Sequence, residues 1–120
     1  MSPKTLTKSD LAQFTGTEHI YRHGLVRHIV YTDGARHVAE AGEAWWLLDH
    51  IACAQLEPRI AREEFQLWTL TVNDDLSADI ACTEGNGTVI STQHIGYTDF
   101  PLPELKLYVT DNTILLPSEY

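Results

Sequence analysis

Six histidines stand in 120 residues, five of them within the first 50 positions. Histidine serves as metal ligand and as general base, so their spacing is the first question. His19 and His23, in His19-Ile20-Tyr21-Arg22-His23, share one side of a strand, or of a helix at a separation of four. His28 and His37 fall on one face if residues 26–41 form a hairpin, but diagonally, about 7–8 Å apart between backbones. A zinc site needs three or four ligands at about 2.0–2.3 Å, usually with a carboxylate or thiolate among them. No His-Glu-x-x-His or Cys-x-x-Cys gathers such a set here. Ordinary surface and hairpin positions are therefore the expectation, and no metal or other cofactor is implied.

Cys53 follows His50 by three residues and Asp49 by four, so thiol, imidazole and carboxylate share one helix face. A thiol nucleophile needs a base in contact and a depressed pKa. A spacing of three along one helix seldom aims the imidazole at the sulfur. The helix C-terminal end also disfavours a thiolate. Asp74, Asp75 and Asp79 lack the Asp-x-Asp-x-Asp-Gly frame and distal Glu of a calcium loop. Glu63 and Glu64, adjacent on a strand, point to opposite faces and form no acid/base pair by adjacency. Glycine-rich phosphate loops, nucleophile elbows and kinase signatures are missing from the sequence, and Gly85-Asn86-Gly87 is too short to cradle a phosphate. These absences lean against an enzyme.

Charge is the more distinctive property. Residues 1–62 carry seven acids and seven Lys or Arg, whereas residues 63–120 carry ten acids and only Lys106, and with them the whole net charge of -9. From Glu63 to Leu105 there is no Lys or Arg in 43 residues. Direct nucleic-acid binding and anionic-membrane binding both require a basic face, so neither is expected. No apolar run approaches the roughly 18 residues of a membrane-spanning helix. The start of the chain lacks the apolar core of a secretory signal, and Cys53 and Cys82 suggest reduced thiols, which together point to the cytoplasm.

These groups need elements to hold them. Thr7-Lys8-Ser9-Asp10 offers a hydroxyl cap for a short helix with Leu11, Ala12 and Phe14, which Gly16 can end in a left-handed conformation. Asp33-Gly34 is the strongest two-residue turn signal in the chain and sets a hairpin from Val26 to Ala41, pairing Ile29 with Val38 and Arg27 with Glu40. Residues 44–56 read as one long helix with Ala44, Leu47, Leu48, Ile51, Ala52 and Leu56 on its apolar side. Trp46, Asp49, His50 and Cys53 share the other side, and Pro58 opens a second short helical stretch. Phe65–Val72, Ala78–Thr83 and Thr88–Ile95 form an antiparallel meander in which Val72 meets Ala78, Leu70 meets Ile80, Trp68 meets Cys82, and Cys82 meets Ile90. Leu105–Thr110 and Thr113–Leu116 add two strands. The expected fold is α+β: a single antiparallel sheet of about five to seven strands, including the Asp-Gly hairpin. One long helix packs on one face, with one or two short helices beside it. A chain of this length, without linkers, makes one domain over residues 1–120.

Five segments, Phe14-Thr15-Gly16-Thr17-Glu18, Tyr31-Thr32-Asp33-Gly34, Trp46-Leu47-Leu48-Asp49, Tyr97-Thr98-Asp99-Phe100-Pro101-Leu102 and Leu115-Leu116-Pro117-Ser118-Glu119-Tyr120, carry a resemblance. On them the chain resembles a family of short, uncharacterised bacterial proteins, a domain of unknown function found partly on plasmids and phage-like elements. The resemblance runs nearly the full length and implies one complete domain. It assigns no catalytic residues. Its association with mobile elements favours an interaction or inhibitor role.

The leading expectation is a non-enzymatic binding protein whose partner is another protein, for instance a basic nucleic-acid-binding one. An inhibitor of a restriction or CRISPR system is the concrete version. Its binding surface would comprise Trp46, Asp74, Asp75, Asp79 and Glu84. The competing expectation is a small metal-binding protein or enzyme using His19, His23, His28 and His37, with His50 in the same pocket. A homo-oligomer built through exposed strands or Trp46 is the third.

Overall fold

A computed structural model describes residues 6–16 and 19–120. Thr17 and Glu18 of the first family segment, and residues 1–5 of the stretch read for a signal, lie outside the described residues. In chain order the elements are α1 (Lys8–Ala12), β1 (Ile20–Arg22), β2 (Val30–Thr32), α2 (Asp33–Ala41), α3 (Trp45–Ala54), α4 (Pro58–Ala61), β3 (Phe65–Val72), β4 (Ala78–Glu84), β5 (Val89–Ile95), β6 (Glu104–Thr110) and β7 (Thr113–Leu115). A 3-10 turn, Pro117–Glu119, follows. None of the described helices is long and apolar enough to cross a membrane.

Strict alternation marks Phe65–Val72 as a strand, and β3 lies inside the sheet between β6 and β4. Trp68 and Leu70 are buried on one face, while Leu67, Thr69 and Thr71 face the other way. Its register with β4 is the expected one, Val72 with Ala78, Leu70 with Ile80 and Trp68 with Cys82. β6 flanks β3 on the other side and adds Leu105, Leu107 and Val109 to the buried face. Leu47 and Ile51 of α3 close over Trp68, Leu70, Ile80, Leu105 and Leu107. Burying a side chain of this size contributes about 1.5–3 kcal/mol, so this layer is the main source of stability.

Among the described residues the strands form one sheet in the order β1-β2-β7-β6-β3-β4-β5. The fold is α+β, but the sheet is mixed rather than purely antiparallel, because β2 runs parallel to β7 (Val30 with Thr113, Tyr31 with Ile114). The cause lies at Asp33-Gly34. This dipeptide is not a hairpin turn; neither residue has the positive φ that such a turn requires. Instead Thr32 Oγ1 accepts the Ala35 N–H (3.2 Å) and caps α2, whose Ala35, Val38 and Ala39 are fully buried. The pairings of Ile29 with Val38 and Arg27 with Glu40 therefore do not form, and α2 and α3, nine and ten residues long, share the role expected of one helix.

Three smaller departures have local causes. α1 stops at Ala12 with Gln13 as its C-cap, and Gly16 has no left-handed φ. α3 ends at Ala54, which leaves Leu56 65% exposed instead of in the core. A bulge beside Cys82 and Thr83 makes Ile90 an extra residue, so Cys82 pairs with Ser91 and not with Ile90. Ser91 and Gln93 consequently share the helix-facing side of the sheet rather than the open one.

The start of α2 is held from far along the chain. Glu119 Oε2 accepts the Gly34 N–H (3.0 Å), and Oε1 accepts the Thr32 hydroxyl (2.6 Å) and the Leu116 N–H (2.9 Å). A carboxylate at a helix N-terminus is stabilised by the exposed amides and by the helix dipole. A Cβ on Gly34 would lie 2.4 Å from Glu119 Oε1 and 2.7 Å from Leu116 Cδ1. Gly34→Ala ordinarily stabilises a helix by up to about 1 kcal/mol. Here it should lower the urea midpoint, by the equivalent of about 1–3 kcal/mol. Glu119→Ala should cost a similar amount through its charge-assisted hydrogen bonds, about 1.5–3 kcal/mol. The double variant should cost less than the sum.

Candidate functional site

Two buried amides organise one end of the sheet. Gln55, the C-cap of α3, and Gln66 on β3 exchange side-chain hydrogen bonds (2.8 and 2.9 Å). Gln55 also donates to the Ile51 carbonyl (3.2 Å) and Gln66 to the Ile60 carbonyl (3.0 Å), while Trp68 Nε1 donates to Gln66 Oε1 (2.9 Å). The network leaves these amides fully engaged, as burial demands. α4 begins with Pro58 at its first turn and delivers Glu63 and Glu64 to the start of β3. Opposite them, β6 turns into β7 through Asp111 and Asn112, both with positive φ (53° and 57°). This is where the tight hairpin turn of the chain occurs.

Between these segments lies a cleft of about 410 Å³. Gln55 and Gln66 line its floor and Glu63, Glu64, Asp111 and Asn112 its walls. Three acidic residues border it, and no Lys, Arg or His lines it among the described residues. Arg62, outside the lining, reaches Glu63 at 3.7 Å but is largely exposed and contributes little. A larger cleft of about 530 Å³ lies beside Tyr21, Asp33, Arg36, His37 and Glu40. Its charges answer one another: Arg36 binds Glu40 (2.7 Å) and covers the Tyr21 ring (4.7 Å), and Tyr21 donates to Asp33 (3.0 Å).

The residues singled out from sequence are dispersed. Asp74 and Asp75 lie in the β3–β4 turn and Asp79 close by on the open face of β4. Glu84 lies at the other end of β4, six residue steps and about 20 Å away, on the cleft side beside Gln66. Asp75 accepts from the Ser77 hydroxyl and amide (2.6 and 3.0 Å), which hold its carboxyl below the usual range. Asp79 is lowered likewise by His94 Nδ1 (2.8 Å) and then Asn73 (3.1 Å). Glu84 is committed to the amides of Asn86 and Thr88 (2.8 and 3.0 Å). Trp46 is half-buried against the core; the exposed indole is its neighbour Trp45, whose ring edge meets Tyr31 at 5.9 Å.

Nor do the histidines converge. His23 is buried: its Nδ1 accepts the amides of Leu25 and Val26 (3.2 and 3.0 Å), so Nε2 carries the proton and donates to Asp49 (2.8 Å). It thereby orders the β1–β2 connection and ties it to α3. His19 and His28 are exposed, and His37, half-buried on α2, packs against Phe14 (5.2 Å). Among the described residues no three His, Cys, Asp or Glu side chains are placed to hold a metal ion. The Cys53, His50 and Asp49 set is not assembled either. Asp49 is turned to His23, and His50 lies edge-on to Trp68 (5.9 Å).

The family model described as a family of unknown function (DUF6876) matches residues 5–120. The chain belongs to this family. No curated protein and no solved structure matches it. In this family member Glu63, Glu64 and Asp111 were each visible in the sequence as acids. Their place around one cleft depends on the β6–β7 turn being adjacent to the start of β3, which spacing alone does not reveal.

Two measurements check this description. Cys53 is exposed, whereas Cys82 is buried and its thiol is pushed up to about 12. An aromatic disulfide reagent should therefore label one thiol promptly in the folded protein and the second only on unfolding. Burial lowers His50 below the ordinary imidazole value of 6.5, so below that pH the unfolded chain binds more protons than the folded one. The His50 contribution to stability is intact above about pH 6.5 and is lost as pH falls through it toward the lowered value. The drop in urea midpoint between about pH 7 and about pH 5.5 should be smaller in His50→Phe than in the parent.

Proposed function

We propose that the protein is a non-enzymatic binding protein whose Glu63–Glu64–Asp111 cleft receives an arginine or lysine side chain of a basic protein partner. The observation that carries this reading is three carboxylates around one cleft of about 410 Å³, with no base in its lining. The floor supports it too. Gln55 and Gln66 are engaged with each other, so what the cleft offers a ligand is chiefly charge and shape. A cation seated there gains most at low ionic strength, since the screening length is about 8 Å at physiological salt. The acids of the 63–105 stretch extend the same sign of potential over both ends of the β3–β4 hairpin, which steers a basic partner toward the cleft. Nucleic-acid-binding proteins present such basic grooves. Occupying one would compete with nucleic acid, which is the inhibitor role that the charge segregation favours.

A fluorescent arginine-rich peptide followed by anisotropy tests this reading. Binding should weaken steadily with added salt. Replacing Glu63 and Glu64 by Gln together with Asp111 by Asn should raise Kd about tenfold, as expected for three exposed charge pairs. Reversing Asp74, Asp75, Asp79 and Glu84 to Lys should weaken binding less than the cleft variant does. If that reversal abolishes binding while the cleft variant binds like the parent, the contact is made by those acids and not by the cleft.

A further inference from the structure

Among the described residues β5 has a neighbouring strand on one side only. Its seven residues, Val89 to Ile95, include no Lys, Arg, Asp, Glu or Pro, the residues that normally blunt an exposed edge. The opposite edge, β1, is three residues long and carries Arg22. The Glu84 N–H donates to the Thr88 carbonyl (2.9 Å), and hydrogen-bonded positions recur at every second residue of β4. With Ile90 the extra residue of the bulge, Ser91, Gln93 and Ile95 exchange bonds with β4. Thr92 and His94 therefore turn their N–H and C=O groups outward. Arg59 donates to the Ile90 carbonyl and closes that end, so the open stretch runs from Ser91 to Ile95.

We propose that this edge pairs antiparallel with the same edge of a second copy of the chain, continuing one sheet across a two-fold axis. Such a contact has to be self-complementary, and β5 is. An axis through Gln93 sets Thr92 of each copy opposite His94 of the other, which satisfies about four main-chain hydrogen bonds. No like charges meet there, because His94 is the one titratable group of β5 and already donates to Asp79 of its own chain (2.8 Å). The nearest acids, Asp79 and Glu84, belong to β4, one strand further in. Strand recognition of a foreign peptide draws its specificity from side-chain pockets beside the edge. The cavity beside β5, lined by Arg59 and residues 89–92, lies at the end that Arg59 already closes. The open stretch thus offers backbone and short uncharged side chains, which suits an identical strand. This contact is independent of the Glu63–Glu64–Asp111 cleft.

Sedimentation equilibrium of the full chain, in salt of about 0.15 M, tests the proposal. The apparent mass should rise with concentration toward twice that of the chain. Thr92→Pro removes an outward N–H without touching the bonds to β4, and the rise should disappear. Thr92→Lys keeps the backbone, sets like charges near the axis, and should abolish it too, so the test stands even if the proline variant fails to fold. Far-UV circular dichroism of dilute protein should be unchanged in the lysine variant. A parent chain that stays monomeric up to its solubility limit overturns the proposal, as does a dimer that both folded variants retain.

Discussion

The Glu119 carboxylate is the constraint on which this arrangement depends. It accepts from Gly34, Thr32 and Leu116, across separations of 85, 87 and 3 residues. Those bonds join the beginning of α2 to the turn that follows β7. They also explain why residue 34 carries no side chain, since the carboxylate occupies the space a Cβ would take. Once α2 begins there, Thr32 must end β2 as a cap. The strand then pairs antiparallel with β1 on one side and, on the other, with β7, running in parallel. The mixed sheet thus goes with the start of α2 at Asp33, which the Thr32 cap, the buried stripe of α2 and the Glu119 carboxylate together favour.

What could be read in the sequence follows from how local each decision was. The β3–β4 register is set by alternation and a short loop, both local, and Trp68, Leu70 and Val72 meet the residues expected of them. The helix at 45–54 declares itself through the spacing of Leu47, Leu48, Ile51 and Ala52. Asp33-Gly34 is harder because two local signals compete. A tight-turn dipeptide stands against a threonine cap followed by Ala35, Val38 and Ala39 at helical spacing. Burial of that helical stripe and a carboxylate 85 residues away decide between them. The β5 register turns on a single inserted residue, Ile90, whose type carries no signature of a bulge.

The same division applies to the site. Excess negative charge in residues 63–120 is a property of composition and was plain, but its distribution was not. Asp75, Asp79 and Glu84 are committed to turns and to a cross-strand histidine. Glu63, Glu64 and Asp111 gather because two distant segments meet at the end of β3. Likewise Trp46 was recognisable from sequence as a candidate surface residue. Which indole faces outward is set by the phase of α3, and that phase buries most of Trp46 while leaving Trp45 41% exposed.

The parallel pairing of β2 with β7 also has a kinetic meaning. Contacts between positions near 30 and positions near 114 can form only after a long loop has closed, and loop closure costs entropy before those contacts repay it. The β3–β4–β5 meander and β6 require much shorter loops and can assemble first as a folding unit. The β1–β2 ribbon and the first turn of α2 would then dock last, onto a sheet already formed.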